Sequence, residues 1–518
     1  MAGSTRSLLA LVAAALLVAG LAALIFVIRA GGDPADAATW PITWELRSSD
    51  NGVLFQLLQD VAAGRPLDWS FSPQVFVFPE LPLSALAFLL TGGSVYGYYG
   101  VVAAIQAALL FLALVALAHV LHREAGLGVA TLRGAIATVP LLALPLIGTS
   151  WILSFHLAPT YYVGMYAALI VAPVLVLARS RAARIGLALA LALTAASNPL
   201  ALLFAAPGTA AALVLLVVRS GRRAAVRPVA LVSATLVGAL VLRLGFSPLQ
   251  GTSPFTYVDP AVFAGRLAAI GPYYAFQMRD PAVAVILPFG LALAVACLAA
   301  AVVAAVLYVR RRGDVDRRLL AVVMLGAAPL GGLAATLAIM ITHYYYLWPV
   351  LILPYALVLL ALPGRALLPT GIAGAAVLAV IAVATGGLTN PANADDYAVY
   401  RSDETRCLDD AVPGRIGYAT FSDARRVSLP SATSVRLIQV QPDLEPNTWL
   451  TNRAYARTEP GSFFYVNGRG DEPPLDVGRI VQVAGQPDRE VGCDADRSVL
   501  IYDDPVKLAR IAAHYGAG

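Results

Sequence analysis

VYGYYGVVAAIQAALLFLALVALAHVL, residues Val95–Leu121, decides the class of fold. It contains no Asp, Glu, Lys or Arg. At the α-helical rise it reaches roughly 40 Å, more than the ~30 Å hydrocarbon core of a bilayer. A run this apolar on every side has no face to turn to water, so it reads as a membrane crossing. Similar runs flank it. Leu8–Ile28 lies between Arg6 and Arg29. It is long for the h-region of a secretory signal and lacks a small-residue cleavage site, so it reads as an uncleaved first span. Downstream, the runs 134–154, 159–178, 185–197, 199–218, 226–244, 282–309, 319–342, 344–362 and 367–386 follow. Together they predict about eleven crossings by length and hydropathy. The 185–197 run is too short to cross alone. Ser197-Asn198-Pro199 breaks it from the next run, so the two read as a hairpin with its turn near one face. The fold class expected is mainly α: a polytopic transmembrane helix bundle over 1–389, followed by a soluble C-terminal domain over 390–518.

Composition agrees. The chain is 59% hydrophobic and 13% charged, with mean hydropathy +0.74. Soluble domains carry about 25% charged residues, so much of this surface faces something other than water. Lys507 is the only lysine. The preference for arginine is the mark of GC-rich coding and points to a bacterium.

The net charge of +5 hides two opposite halves. From Gly387 onward there are 14 Lys+Arg and 19 Asp+Glu, a net of −5; subtracted from the whole-chain 36 and 31, this leaves 22 and 12 before it, a net of +10. The excess arginines sit in short loops, Arg179–Arg184, Arg219–Arg227 and Arg310–Arg318. Basic loops between apolar runs mark the cytoplasmic side. No nucleic-acid motif accompanies them, so nucleic acid is excluded as a partner. The N-terminus is then inside, and the C-terminal domain is extracytoplasmic, beyond a bacterial inner membrane. Two long loops fall on the same outer face, at 31–82 and 245–280. The outer domain alternates short β-rich segments with polar turns: Arg415–Phe421, Val435–Val440, Ser462–Val466, Arg479–Val483 and Ser498–Tyr502. It reads as a small α/β or mostly-β domain. Cys297 lies inside a span and reads as a packing residue. Cys407 and Cys493 fall in the oxidising compartment, where a bridge between them would persist. Two separate thiols are the alternative, because spacing does not fix geometry.

The first outer loop is too long for a connector. Trp40–Gly93 reads WPITWELRSSDNGVLFQLLQDVAAGRPLDWSFSPQVFVFPELPLSALAFLLTGG and gathers carboxylates and aromatics at the membrane surface. Asp50-Asn51-Gly52 precedes an amphipathic helix over Val53–Ala62, and Asp50 fits its N-cap. Leu81–Leu90 is apolar but too short to cross, so it lies along the interface.

A span, a long outer loop with an early acid, an amphipathic helix, a Gly-Arg and Asp-Trp turn, a Phe-Pro-Glu-Leu-Pro-Leu element and a second span follow in that order. The order resembles the GT-C superfamily of integral-membrane glycosyltransferases, which use polyprenyl-phosphate sugars. The resemblance implies a catalytic acid in the first outer loop, a polyprenyl-phosphate-linked sugar as donor, and a glycan, lipid or protein acceptor in the cell envelope. Where the superfamily carries an Asp-Glu pair, this chain has Asp50-Asn51.

The chemistry is stated independently. Moving a sugar from a lipid phosphate to a hydroxyl needs a carboxylate to accept the hydroxyl proton. It also needs cations, or a divalent metal such as magnesium or manganese, to neutralise the departing phosphate. Asp50 is the candidate base and Glu80 a second carboxylate orienting acceptor or metal. A helix cap and a solvated interfacial acid are their respective structural alternatives. Arg243, Arg266, Arg279 and His343, beside Tyr344, are candidates for the phosphate, although arginines at an interface also snorkel and tyrosines there form ordinary belts. Trp449 and Arg453 in NTWLTNRAY are candidates for stacking on and bonding to sugar; a small core beside a surface turn is the alternative. Asn198 reads as a partner for backbone groups freed by Pro199. No Walker loop, zinc pattern or serine elbow is present. Two other readings stand beside the enzyme: a transporter or flippase for a lipid-linked glycan, and a non-catalytic envelope assembly protein. Charged groups gather at the outer rim and not deep in the spans, which favours a surface active site.

Overall fold

A computed structural model of the chain describes residues 2–30, 50–146, 155–158, 163–251, 260–279, 281–310, 317–338, 403–458, 460–469 and 472–516, with isolated positions between 360 and 380. It is mostly helical. The chain opens with α1 (Ala2–Ala30), α2 (Val53–Ala62), strand β1 (Trp69–Ser70), α3 (Glu80–Leu90) and α4 (Val95–Leu121). Then come α5 (Gly126–Ala143), α6 (Val163–Leu177), α7 (Arg181–Ser197) and α8 (Leu200–Phe246), which turns at Gly221 with φ 73°. Helices α9 (Pro260–Gln277), α10 (Pro281–Arg310), α11 (Arg317–Gly326) and α12 (Ala328–Ala338) complete the described bundle.

Among the described residues, six helical segments are long and apolar enough to cross a membrane: Thr5–Phe26, Val95–Leu121, Arg123–Leu146, Leu200–Arg219, Ala225–Leu249 and Val283–Arg310. The expected runs 344–362 and 367–386 lie outside the described residues, apart from isolated positions. Helix α4 is the hub, packed against α1, α5 and α6. Ser94 caps it by accepting from the Gly97 N–H at 3.3 Å. Close approach relies on small residues, as it does where lipid supplies no hydrophobic drive. A methyl group on Gly208 of α8 would run into the Met324 carbonyl of α11.

Two expected spans need correction. The 319–342 run is broken into α11 and α12 around Ala327. Pro329, two residues on, lacks an N–H and cannot continue the ladder. The run expected at 134–154 begins earlier, at Gly126. It reaches past Arg133, which is buried and donates to the Leu360 carbonyl at 3.3 Å.

The two ends of the bundle differ. At one, arginines close helix C-termini: Arg123 donates to the Leu177 carbonyl at 2.8 Å, Arg318 to Leu121 at 3.1 Å, and Arg219 to Tyr308. Cations there complement the helix dipoles. At the other, the first long loop meets the α7–α8 turn. Val75 N–H donates to the Ser197 carbonyl and Phe78 N–H to Ser197 Oγ, both at 2.9 Å.

The C-terminal domain comprises α13 (Asp403–Ala411), β2 (Ile416–Ala419), α14 (Phe421–Ser428), β3 (Arg436–Gln439), β4 (Thr451–Asn452), α15 (Tyr455–Thr458), β5 (Phe463–Asn467), α16 (Val477–Ala484), β6 (Arg489–Gly492), β7 (Arg497–Ile501) and α17 (Pro505–His514). Five strands form one sheet in the order β3-β2-β5-β7-β6, parallel on the β3 side and antiparallel on the other. Strand alternation sends Phe463 and Tyr465 into one core with Leu408 and Val427, and Phe464 into the opposite one with Ile480 and Ile511. Helices therefore cover both faces, an α/β arrangement. Arg479–Val483, expected as a strand for its β-branched residues, is helical. Asp476 caps it by accepting from the Arg479 N–H at 3.1 Å, Ile480 and Ala484 are buried one turn apart, and Gly485 ends it with φ 88°.

Cys407 and Cys493 are bonded, with Cα atoms 5.7 Å apart, and close a loop with a sequence separation of 86. In the chain-entropy account a loop of that length stabilises the domain by about 4.6 kcal/mol. Thiol labelling of denatured, non-reduced protein is expected to reach Cys297 and spare Cys407 and Cys493. Labelling of all three would show that the bond does not form.

Candidate active site at the junction of loop and domain

Helix α2 turns Val53, Leu54, Phe55 and Leu57 inward, and Phe55 packs on Phe88 of α3 and Tyr98 of α4 with ring centroids 5.5 and 5.0 Å apart. The same face carries an acid. Asp60 is fully buried, and its carboxylate accepts from Trp69 Nε1 and Asn452 Nδ2 at 3.0 Å each, from Arg65 Nη1 at 3.2 Å, and from the Tyr455 hydroxyl. Four donors offset the cost of burying a charge. Around this anchor, β1 pairs antiparallel with β4, Trp69 opposite Asn452. Beside it Asp68 forms ion pairs with Arg453 and Arg457. The loop then runs along the second long loop, where Phe71 N–H donates to the Leu249 carbonyl at 2.6 Å. The first outer loop is thus fastened to the domain by hydrogen bonds, ion pairs and a strand pair.

That fastening places Asp50 against the domain. Its carbonyl accepts from the Val53 N–H at 3.3 Å, but Gly52 is the N-cap of α2 and no side chain caps the helix. The carboxyl group instead faces Arg425 and Glu472. Burial pushes its pKa up to about 6; Arg425 opposes the rise and Glu472 adds to it. Arg425 is itself buried in α14. Its Nε donates to Gln56 Oε1 at 2.8 Å and its Nη2 to Gln439 Oε1 at 3.0 Å, while Leu450 accepts a further bond. Burial brings its pKa down to about 10, with Asp50 the largest opposing charge. Gly52 is glycine for space, since a methyl group there would strike Leu429 and press on Arg425.

Glu80 is not a solvated interfacial acid. It is 4% exposed, in the first turn of α3, and its Oε2 has no hydrogen-bond partner among the described residues. Burial pushes its pKa up to about 7, opposed by its own backbone N–H and that of Gly164. The Glu80 side chain lies against Gly164 of α6, where a Cβ would stand 3.0 Å from Oε1. One turn on, the buried Ser84 lies beside Tyr98 of α4. Tyr98 neighbours Tyr99, whose hydroxyl feels the Arg425 charge.

The other candidates are dispersed. Arg243 donates to the Ala196 carbonyl at 3.2 Å, beside the α7–α8 turn, and Arg279 lies 5.3 Å over the Phe276 ring. Arg266 belongs to α9, with its side chain outside the described residues, as are His343 and Tyr344. Trp449 is 8% exposed and packs in the core of the membrane part, and Arg453 is committed to Asp68. Both hold the domain in place, and neither presents a sugar platform. Asn198 Oδ1 accepts from the Leu200 N–H at 3.1 Å, at the start of α8. Among the described residues, no three His, Cys, Asp or Glu side chains gather as a metal site.

Arg425, Glu472 and Asp60 were not singled out in the sequence. Asp60 left a trace, since it follows Leu57 by three and Val53 by seven and so falls on the apolar stripe of α2. Arg425 left none, because its partner Gln56 is 369 residues away.

No family model and no curated protein matches the chain. Among solved structures it is similar to the oligosaccharyltransferase of Archaeoglobus fulgidus in complex with zinc and sulfate, at 14% identity and TM-score 0.42, covering 88% of this chain and 67% of that one. It is similar also to that enzyme tethered by a disulfide to an acceptor peptide containing the NVT sequon, at 14% identity and TM-score 0.43, covering 88% and 69%. At this level neither neighbour decides what the chain does.

Proposed function

We propose that the chain is a membrane glycosyltransferase of GT-C type that moves a sugar from a polyprenyl-phosphate carrier to a cell-envelope acceptor, with Asp50 as general base. The observation that carries this reading is the state of Asp50: a half-buried carboxyl group that does not cap its helix, faces Arg425, and has its pKa raised to about 6. A base with a pKa slightly below working pH is ionised and still avid for a proton. In the step, the acceptor oxygen forms a bond to the anomeric carbon while its proton passes to Asp50. The bond from that carbon to the carrier phosphate breaks, and the phosphate leaves with the electron pair. Glu80 orients the acceptor. Arg243, Arg279, Arg266 and His343 are the cations proposed for the leaving phosphate. The acceptor site faces outward from a bacterial inner membrane, with the arginine loops inside.

Asp50→Asn keeps the shape and removes the charge. Transfer of labelled sugar from a polyprenyl-phosphate pool to envelope material is expected to fall by about two to four orders of magnitude. Glu80→Gln is expected to reduce it less. Since burial raises the Asp50 pKa, the ionised base appears as pH climbs through about 6. The wild-type rate rises over that window, and the Asp50→Asn residue rate does not follow it. Near-normal transfer by a well-inserted Asp50→Asn protein would remove Asp50 from the role. For the orientation, a reporter active only outside the cytoplasm is expected to work when fused after residue 387 and to fail within 310–318. The reverse pattern would invert the proposed topology.

A further inference from the structure

A cleft of about 470 Å³ opens between α2, the end of α3 and the turn joining α14 to β3. Its size lies in the range that encloses small ligands, about 300–1,000 Å³. Gln56, Gln59, Arg65, Ser431, Ser434 and Arg436 supply its polar lining, and no carboxylate is among the described residues that line it. Both guanidinium groups are positioned by one anchor. Arg65 bonds Asp60 directly, and Arg436 lies 4.8 Å over the ring of Tyr455, whose hydroxyl donates to Asp60. Groups held in place before a ligand arrives lose little freedom on binding it. A planar guanidinium matches the oxygens of phosphate and carboxylate, while amides and hydroxyls match sugar hydroxyls. Gln56, on the wall, also accepts from Arg425, so the cleft stands one side chain away from the residue facing Asp50.

We infer that this cleft binds an anionic saccharide group, either free or as the headgroup of a lipid. The two sources share one chemistry, and Phe88 and Gly93 place the cleft mouth at the end of α3, whose Leu89 and Leu90 are exposed. The inference does not depend on the transferase reading, because binding is measured without turnover.

The test uses the full chain in lipid nanodiscs with glucose 6-phosphate, inorganic phosphate and glucose as probes, followed by calorimetry or saturation-transfer NMR. Glucose 6-phosphate is expected to bind at least tenfold tighter than either of the others. Arg436→Gln should weaken it roughly tenfold, the scale of one charge-assisted hydrogen bond. Gln59→Leu, at a half-buried position that keeps a good helix former, should weaken it severalfold. Competition by discs containing glucuronosyl diacylglycerol, absent with phosphatidylglycerol discs, upholds the site and assigns it to a lipid-borne headgroup. Equal binding in both discs upholds it and assigns it to a free saccharide. Binding that both folded variants leave unchanged, equal affinity for inorganic phosphate, or no binding by intact protein would overturn the proposal.

Discussion

The carboxylate of Asp60 collects donors from both ends of the chain, including Tyr455, which is 395 residues away. An ionised group in that position is tolerated only while every partner stays. Removal of any one strands another polar group in a dry site, at about 1–3 kcal/mol each. The demand is mutual: Trp69, Asn452 and Tyr455 each need the acceptor as much as Asp60 needs the donors. Loop and domain are therefore held in one register. Short pairing of β1 with β4, only two residues on each side, would be too little to achieve this alone.

This register sets the electrostatics nearby. Asp50 is carried on the same loop as Asp60, and its neighbour Arg425 belongs to the domain, so their meeting exists only while the two parts are docked. Burial raises one pKa and lowers the other, each against the pull of the partner charge. A pair in which desolvation outweighs attraction adds little to stability. Glu80 follows the same logic on α3, with burial again the dominant cause. Perturbed carboxyl groups of this kind concentrate at functional sites.

Much of the scaffold was legible in the chain because its signals are local. Val95–Leu121 declares itself by composition, and the helix has those bounds. The break at Ser197-Asn198-Pro199 ends α7 as its residues suggest. Misreadings arose where a local pattern was outvoted. Arg479–Val483 is rich in β-branched residues like a strand, but a capping Asp476 and a stopping Gly485 make it a helix. Arg133 looks like the edge of a span and is buried within one. The loop's two acids illustrate the limit for the site. Asp50 stood out by position alone, whereas the value of Asp60 and Arg425 lies in contacts spanning most of the chain, which no window of sequence reveals. Trp449 and Arg453 had the composition of a sugar platform and serve as docking residues.

If one buried carboxylate sets the register between loop and domain, its loss should undock them without unfolding the sheet. Hydrogen exchange of Asp60→Ala protein in nanodiscs measures this directly. Protection is predicted to collapse at Trp69–Phe71 and Thr451–Asn452, while β2, β5 and β7 keep theirs. Retained protection at both docking strands in the Asp60→Ala protein would contradict the account.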